Sequence, residues 1–175
     1  LSALWAGWLW GHEASAAFKS VLRRRRYDWD WHAAALHANL QHIPTMIAAE
    51  LPALALIGEA EPGFVSAALL AGERAGFGLR GLALRSDDSQ AQIAWELRAT
   101  ALPETPSPAG APLAEQVQQA GLETLQARGE PSAYLTLHAG ILTRLLQAGQ
   151  WPAPDASLEA ALSHLNATLE LALAA

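Results

Sequence analysis

Four consecutive cations, Arg23, Arg24, Arg25 and Arg26, run directly into Tyr27 and are followed by Trp29 and Trp31. Guanidinium groups neutralise phosphates and aromatic faces stack on unpaired bases, so this combination has the ingredients of a nucleic-acid contact. The competing role is structural: cations at a helix end complement its macrodipole while the tryptophans enter the core. A second candidate pair, Glu59 and Glu61, lies in the turn just past a short apolar run. Carboxylates at the carboxyl end of a strand in an open α/β sheet face the ligand side, where they can orient a base or a hydroxyl. Solvated turn carboxylates have the same appearance in sequence.

The other reactive residue types form weaker patterns. His32, His37 and His42 are spaced by five, a step of about 500° on a helix, so successive imidazoles point apart and do not converge on a metal. His12-Glu13 lacks the second histidine of a zinc-binding helix. Gly76-Phe77-Gly78-Leu79-Arg80-Gly81 matches GxGxxG letter by letter. A phosphate loop must leave a strand and open a helix, whereas this segment closes a helix and opens a strand, so the glycines read as a helix stop and a turn. Ser163-His164 has no acid in a triad arrangement, which leaves nucleophilic hydrolysis without support. His138 falls on the apolar face of a helix and reads as a hydrogen-bonded core histidine. No catalytic residue and no metal ligand is assigned.

The elements that must hold these residues follow from periodicity. After Gly11, the Ala, Phe, Val and Leu residues at 14, 17, 18, 21 and 22, with Arg25 next on the same stripe, predict an amphipathic helix that ends in the arginine run. Asp28 or Asp30 is the natural N-cap of the next helix, from about Trp31 to His42, which Pro44 ends or kinks. Leu51 to Gly58 has the length of a strand, Phe64 to Ala75 the period of a one-sided helix, and Leu79 to Arg85 and Ala91 to Leu97 the look of a strand hairpin around residues 86–89. Pro103, Pro106, Pro108 and Pro112 then mark a linker over 101–112. Three helical patterns follow, over 113–128, 132–148 and 156–174, with Gly129 and Gly149 at helix ends. The predicted organisation is an α/β domain over 1–100, the linker, and a helical tail module over 113–175.

This order of elements resembles the closing half of a class I S-adenosylmethionine-dependent methyltransferase domain. It is most similar in arrangement to bacterial DNA methylase-like proteins, where a Tyr-Asp-Trp segment, here Tyr27-Asp28-Trp29, precedes a helix, a strand and a turn like Glu59-Ala60-Glu61-Pro62-Gly63-Phe64. The resemblance covers residues 1–97. It implies a Rossmann-like fold with a β-α-β-β unit, a three-stranded mixed sheet in the spatial order first, third, second, with flanking helices. The family's glycine-rich cofactor loop and its (Asp/Asn)-Pro-Pro-(Tyr/Phe) turn belong to the opening half, and no such tetrapeptide occurs in this chain. The resemblance therefore implies a non-catalytic piece with no cofactor of its own. A longer protein would use S-adenosylmethionine to methylate an exocyclic amino group of adenine or cytosine. Arg23 to Arg26, Tyr27 and Trp29 would lie on the DNA side, and Glu59 and Glu61 on the ligand side.

Composition bounds what remains. With 51% apolar residues the chain can build a core, and without cysteine it carries no disulfide or thiolate chemistry, which fits a reducing cytoplasm. Residues 1–100 hold nine Lys/Arg against ten Asp/Glu, and residues 101–175 hold two against seven. The acidic tail disfavours a polyanion there, so any DNA contact belongs to the front half. Leu1 to Trp10, with Trp5, Trp8 and Trp10, is apolar nearly all round and predicts a helix that is buried or pairs with a partner. It is too short to span a membrane and lacks the basic start of a signal peptide. A chain that starts at Leu1 and has Met46 as its one methionine is expected to be a piece of a longer protein. The expected partners are an N-terminal half or another chain, including a second copy, through Leu1 to Trp10. The alternative function is a non-enzymatic interaction or dimerisation module.

Overall fold

A helix that ends in charge, a capped turn and a second helix lead into a small sheet backed by further helices. The computed structural model describes residues 7–48, 50–85, 87, 89–98, 112–149 and 156–174, with the side chains of 18, 21–24 and 174 outside that description. The elements are α1 (His12–Arg24), α2 (Trp29–Leu40), a 3-10 turn (Ile43–Thr45), β1 (Ala53–Ile57), α3 (Pro62–Arg74), β2 (Phe77–Arg85), β3 (Gln90–Leu97), α4 (Leu113–Arg128), α5 (Tyr134–Gln147) and α6 (Leu158–Ala174). Asp28 is the N-cap of α2, its carboxylate accepting from the Trp31 N–H at 3.0 Å. The helix thus starts two residues before the sequence expectation, and it ends at Leu40, with Pro44 taken into the 3-10 turn.

The sheet has the order β1-β3-β2, the order that the resemblance implies. One expectation needs correction: the sheet is antiparallel in every hydrogen-bonded pair and not mixed. β1 and β2 do run the same way, but β3 returns from the hairpin and slides between them, so the two like-directed strands never touch. The outer edge of β1 carries no strand among the described residues.

β2 slips register between Leu79 and Gly81, which leaves Arg80 as an extra, exposed residue. A bulge of this kind reverses the alternation of the strand. Leu79 opposes Trp95, and beyond the bulge Leu82 opposes Ile93 and Leu84 opposes Ala91, so both halves of β2 turn their leucines to the same face. That face, with Ile57, Phe77, Ala91, Ile93 and Trp95 buried, packs on helices. The opposite face is open, with Leu54 and Leu56 63% and 81% exposed.

α3 is the central helix: every residue from 65 to 73 is buried. Pro62 occupies its first turn, where the missing N–H costs nothing. Gly76 stops it at φ +89°, donating its N–H to the Glu73 carbonyl. The buried Glu73 carboxylate pairs with Arg98 at 3.2 Å and ties the end of α3 to the end of β3. The Trp95 indole packs against α3 at Gly72, where an added Cβ would stand 2.9 Å from its Nε1.

The helices beyond the proline stretch share this core. Val117, Ile141, Leu142, Leu145, Leu165 and Leu169 belong to one apolar cluster with Val65, Ile93 and Trp95. A second cluster joins Ala33 of α2, Ala67 and Leu70 of α3, and Ala161 and Leu162 of α6. The expected linker falls outside the described residues except for Pro112, the N-cap of α4. Gly129 caps the end of α4 at φ +70°, as its position in the sequence indicated. Among the described residues no helix is long and apolar enough to cross a membrane.

Candidate functional site

The turn that joins α1 to α2 and the turn that leaves β1 meet around an open cleft of about 480 Å3. Its lining includes Arg26, Tyr27, Trp29 and His32 from the first segment and residues 56–59, Glu61 and Phe64 from the second. Two groups of residues singled out separately in the sequence, the Arg-Tyr-Trp segment and the pair Glu59 and Glu61, therefore share one site. It lies at the carboxyl end of β1, where ligands of α/β sheets bind.

Local structure explains how each side chain is aimed. Capping by Asp28 fixes the start of α2 and places Trp29 at its first position, with His32 one turn later on the same face. The Trp29 indole rests directly on the first turn of α3: a Cβ added at Gly63 would stand 2.3 Å from its Nε1. Glycine at 63 is therefore a steric condition for the seating of this ring. Tyr27 meets Trp29 edge-on at 5.8 Å between centroids, His32 lies 5.8 Å from Trp29, and Phe64 lies 6.2 Å from Trp29 and 5.0 Å from His32. The four rings form one continuous aromatic wall.

Two of the four cations have acidic partners. Arg26 pairs with Glu59 at 2.8 Å, and its guanidinium stands 5.3 Å from the centre of the Tyr27 ring. Arg25 turns away onto Asp28. The Asp28 carboxyl is held below the usual carboxylate range by the Trp31 N–H and then by Arg25. Arg23 and Arg24 belong to the last turn of α1, and their side chains lie outside the described residues. Glu61 is the N-cap residue of α3, yet its side chain makes no capping bond and no ion pair among the described residues.

Sequence reasoning missed Phe64 and gave His32 no role. Trp29 and His32 at i, i+3 is a signal that was present; the approach of Phe64 is a tertiary event. The remaining candidates fall elsewhere. The segment 76–81 joins the end of α3 to β2, as expected from its context. No three metal-ligating side chains converge among the described residues. His138 is buried, 2% exposed, and its Nε2 lies 3.3 Å from the Ser66 hydroxyl of α3. The reading of a fully hydrogen-bonded core histidine needs correction, because Nδ1 is buried without a partner. Burial pushes this imidazole down to about 4. With Ser66 also fully buried and no acid bonded to either side chain among the described residues, the pair has no access to a substrate. A second cavity of about 500 Å3 lies between β2, α4 and α5, but its Arg144 is bonded to Thr124 and Glu123.

No family model, no curated protein and no solved structure matches this chain. S-adenosylmethionine, which the resemblance implies for a longer protein, calls for a glycine loop between a strand and a helix. The glycine-rich turn at 76–81 joins a helix to a strand.

Proposed function

We propose that this chain is the closing part of a Rossmann-like, DNA methyltransferase-like protein, supplying its last three strands and the substrate side of the crevice at the carboxyl end of β1. The observation that carries the reading is the strand order β1-β3-β2, in which the outer edge of β1 carries no strand among the described residues. Unpaired N–H and C=O groups along such an edge are a template for a further strand. In the resembled family that strand comes from the half with the cofactor loop and the catalytic turn. The completed protein would transfer a methyl group to an exocyclic amino group of adenine or cytosine in DNA. This chain would contribute contacts from Arg23 to Arg26, Tyr27 and Trp29, with Glu59 and Glu61 facing the ligand, and would not catalyse the transfer alone.

The test is the intact mass of the product from its native host, followed by a methyl-transfer assay on that product and on the isolated chain. A mass well above 18.6 kDa with activity only in the longer product is the expected outcome. A native product of this size, or transfer by the isolated chain, refutes it.

A second reading, a protein-interaction or dimerisation module, is favoured by Trp8 and Trp10, which are 75% and 73% exposed beside the exposed Leu9. Apolar surface of this kind is typical of a contact site. Sedimentation of the chain at rising concentration decides it: a monomer throughout, with no partner recovered, removes this reading.

A further inference from the structure

We propose that the cleft at the carboxyl end of β1 binds a compact organic cation, a guanidinium or alkylated ammonium group, between its aromatic wall and the Glu61 carboxylate. Independent features of the site agree on the sign of the ligand. Aromatic faces carry a negative quadrupole and attract cations, the more so when water is partly excluded, and here Tyr27, Trp29, His32 and Phe64 form a contiguous wall. Among the lining residues one cation, Arg26, stands against two carboxylates, Glu59 and Glu61. Arg26 is already spent on Glu59, while Glu61 has no ion pair among the described residues.

The molecule also displays the proposed binding mode with its own side chain. The Arg26 guanidinium sits over the Tyr27 ring and on the Glu59 carboxylate at the same time. A second cation placed deeper, against Trp29 and Phe64 and within reach of Glu61, would repeat that arrangement. The Arg26–Glu59 pair is exposed on both sides, so opening it to widen the cleft costs little. A phosphate or carboxylate ligand would instead meet an unpaired carboxylate, in a chain whose net charge is −6. A volume of about 480 Å3 exceeds one charged group, so the cation is carried on a larger body: a free amine, or the side chain of a peptide. The inference does not rest on the methyltransferase reading: it gives this cleft a cationic ligand where that reading gives it a DNA contact, and the nucleotide probes below separate the two.

The experiment is a titration of the ¹⁵N-labelled chain followed at the Trp29 indole N–H, assigned by its loss in Trp29→Phe. The probes are agmatine, choline, an arginine-bearing tripeptide, the neutral choline isostere 3,3-dimethylbutanol, and cytidine and adenosine monophosphates. Saturable shifts with agmatine or choline, none with the neutral isostere, and binding weakened at least about fivefold by Glu61→Gln and by Trp29→Ala are expected. Tighter binding of the tripeptide than of agmatine assigns the cation to a peptide, and the reverse assigns it to a free amine. Glu61 is exposed, so Glu61→Gln leaves the fold intact, and unchanged affinity in that variant overturns the proposal. Equal shifts with the neutral isostere or the nucleotides, or no shift with any cation, overturn it as well.

Discussion

Titrating the protein from about pH 8 to about pH 4 interrogates His138, the buried imidazole that couples α5 to α3. In the folded chain burial pushes it from the usual 6.5 down to about 4. In the unfolded chain it takes up its proton near the usual value. Between these two limits the unfolded state binds more protons than the folded one, so stability rises with pH in that window. The contribution is complete above about pH 6.5 and is progressively lost as the pH falls towards 4. At about 1.4 kcal/mol per pH unit, the full loss is about 3 kcal/mol. That is a large part of the stability of a domain of this size. The perturbation is the double variant Ser66→Ala/His138→Leu, which removes the titrating ring and also the hydroxyl that would otherwise lose its partner. Urea unfolding of both proteins at each pH gives the difference directly, and Asp28, Asp30 and other shared groups cancel in it. The wild-type chain should lose about 3 kcal/mol more than the variant between pH 7 and pH 4. Parallel pH profiles, or an imidazole NMR titration of His138 centred near 6.5, would refute the reasoning.

Three further outcomes follow from the same geometry. Gly63→Ala places a methyl group 2.3 Å from the Trp29 indole; the ring must move, at about 1–3 kcal/mol by urea unfolding, with a large change in its indole N–H signal. Arg26→Ala opens an exposed ion pair and should change stability by less than about 1 kcal/mol in the same assay, because solvent already screens it. Leu56→Lys alters a side chain that is 81% exposed on the open sheet face. Its unfolding free energy should stay within about 0.5 kcal/mol of wild type. Any concentration-dependent association through β1 should fall in sedimentation, since a charge on an edge strand opposes pairing.

Much of this architecture could be read from local pattern. The run 64–75 alternates apolar residues at helical spacing, and α3 appears there, begun two residues earlier by Pro62. The hairpin 79–97 was visible from two apolar runs around a polar turn. Its placement, with β3 inside, rested on family resemblance and not on the residues. The bulge at Arg80 was not legible: only the demand that Leu79, Leu82 and Leu84 all face α3 and α5 makes the slip favourable. The candidate site was legible as two unconnected pieces; the acidic partners of two of the arginines, one of them 33 residues away, were not legible.

The sequence by itself determined the elements, their caps and the residue types available for chemistry, because helix period, strand alternation and glycine or proline stops act within a few residues. Tertiary structure alone decided three things. It placed Ile141, Leu142, Leu165 and Leu169 of the C-terminal helices in one apolar cluster with residues of the sheet and of α3. It buried His138 against Ser66 and left Nδ1 without a partner. It also brought Arg26 onto Glu59, so that the Arg-Tyr-Trp segment and the turn with Glu59 and Glu61 line one cleft. Charge and packing act through space, and local pattern does not say which distant residues will share it.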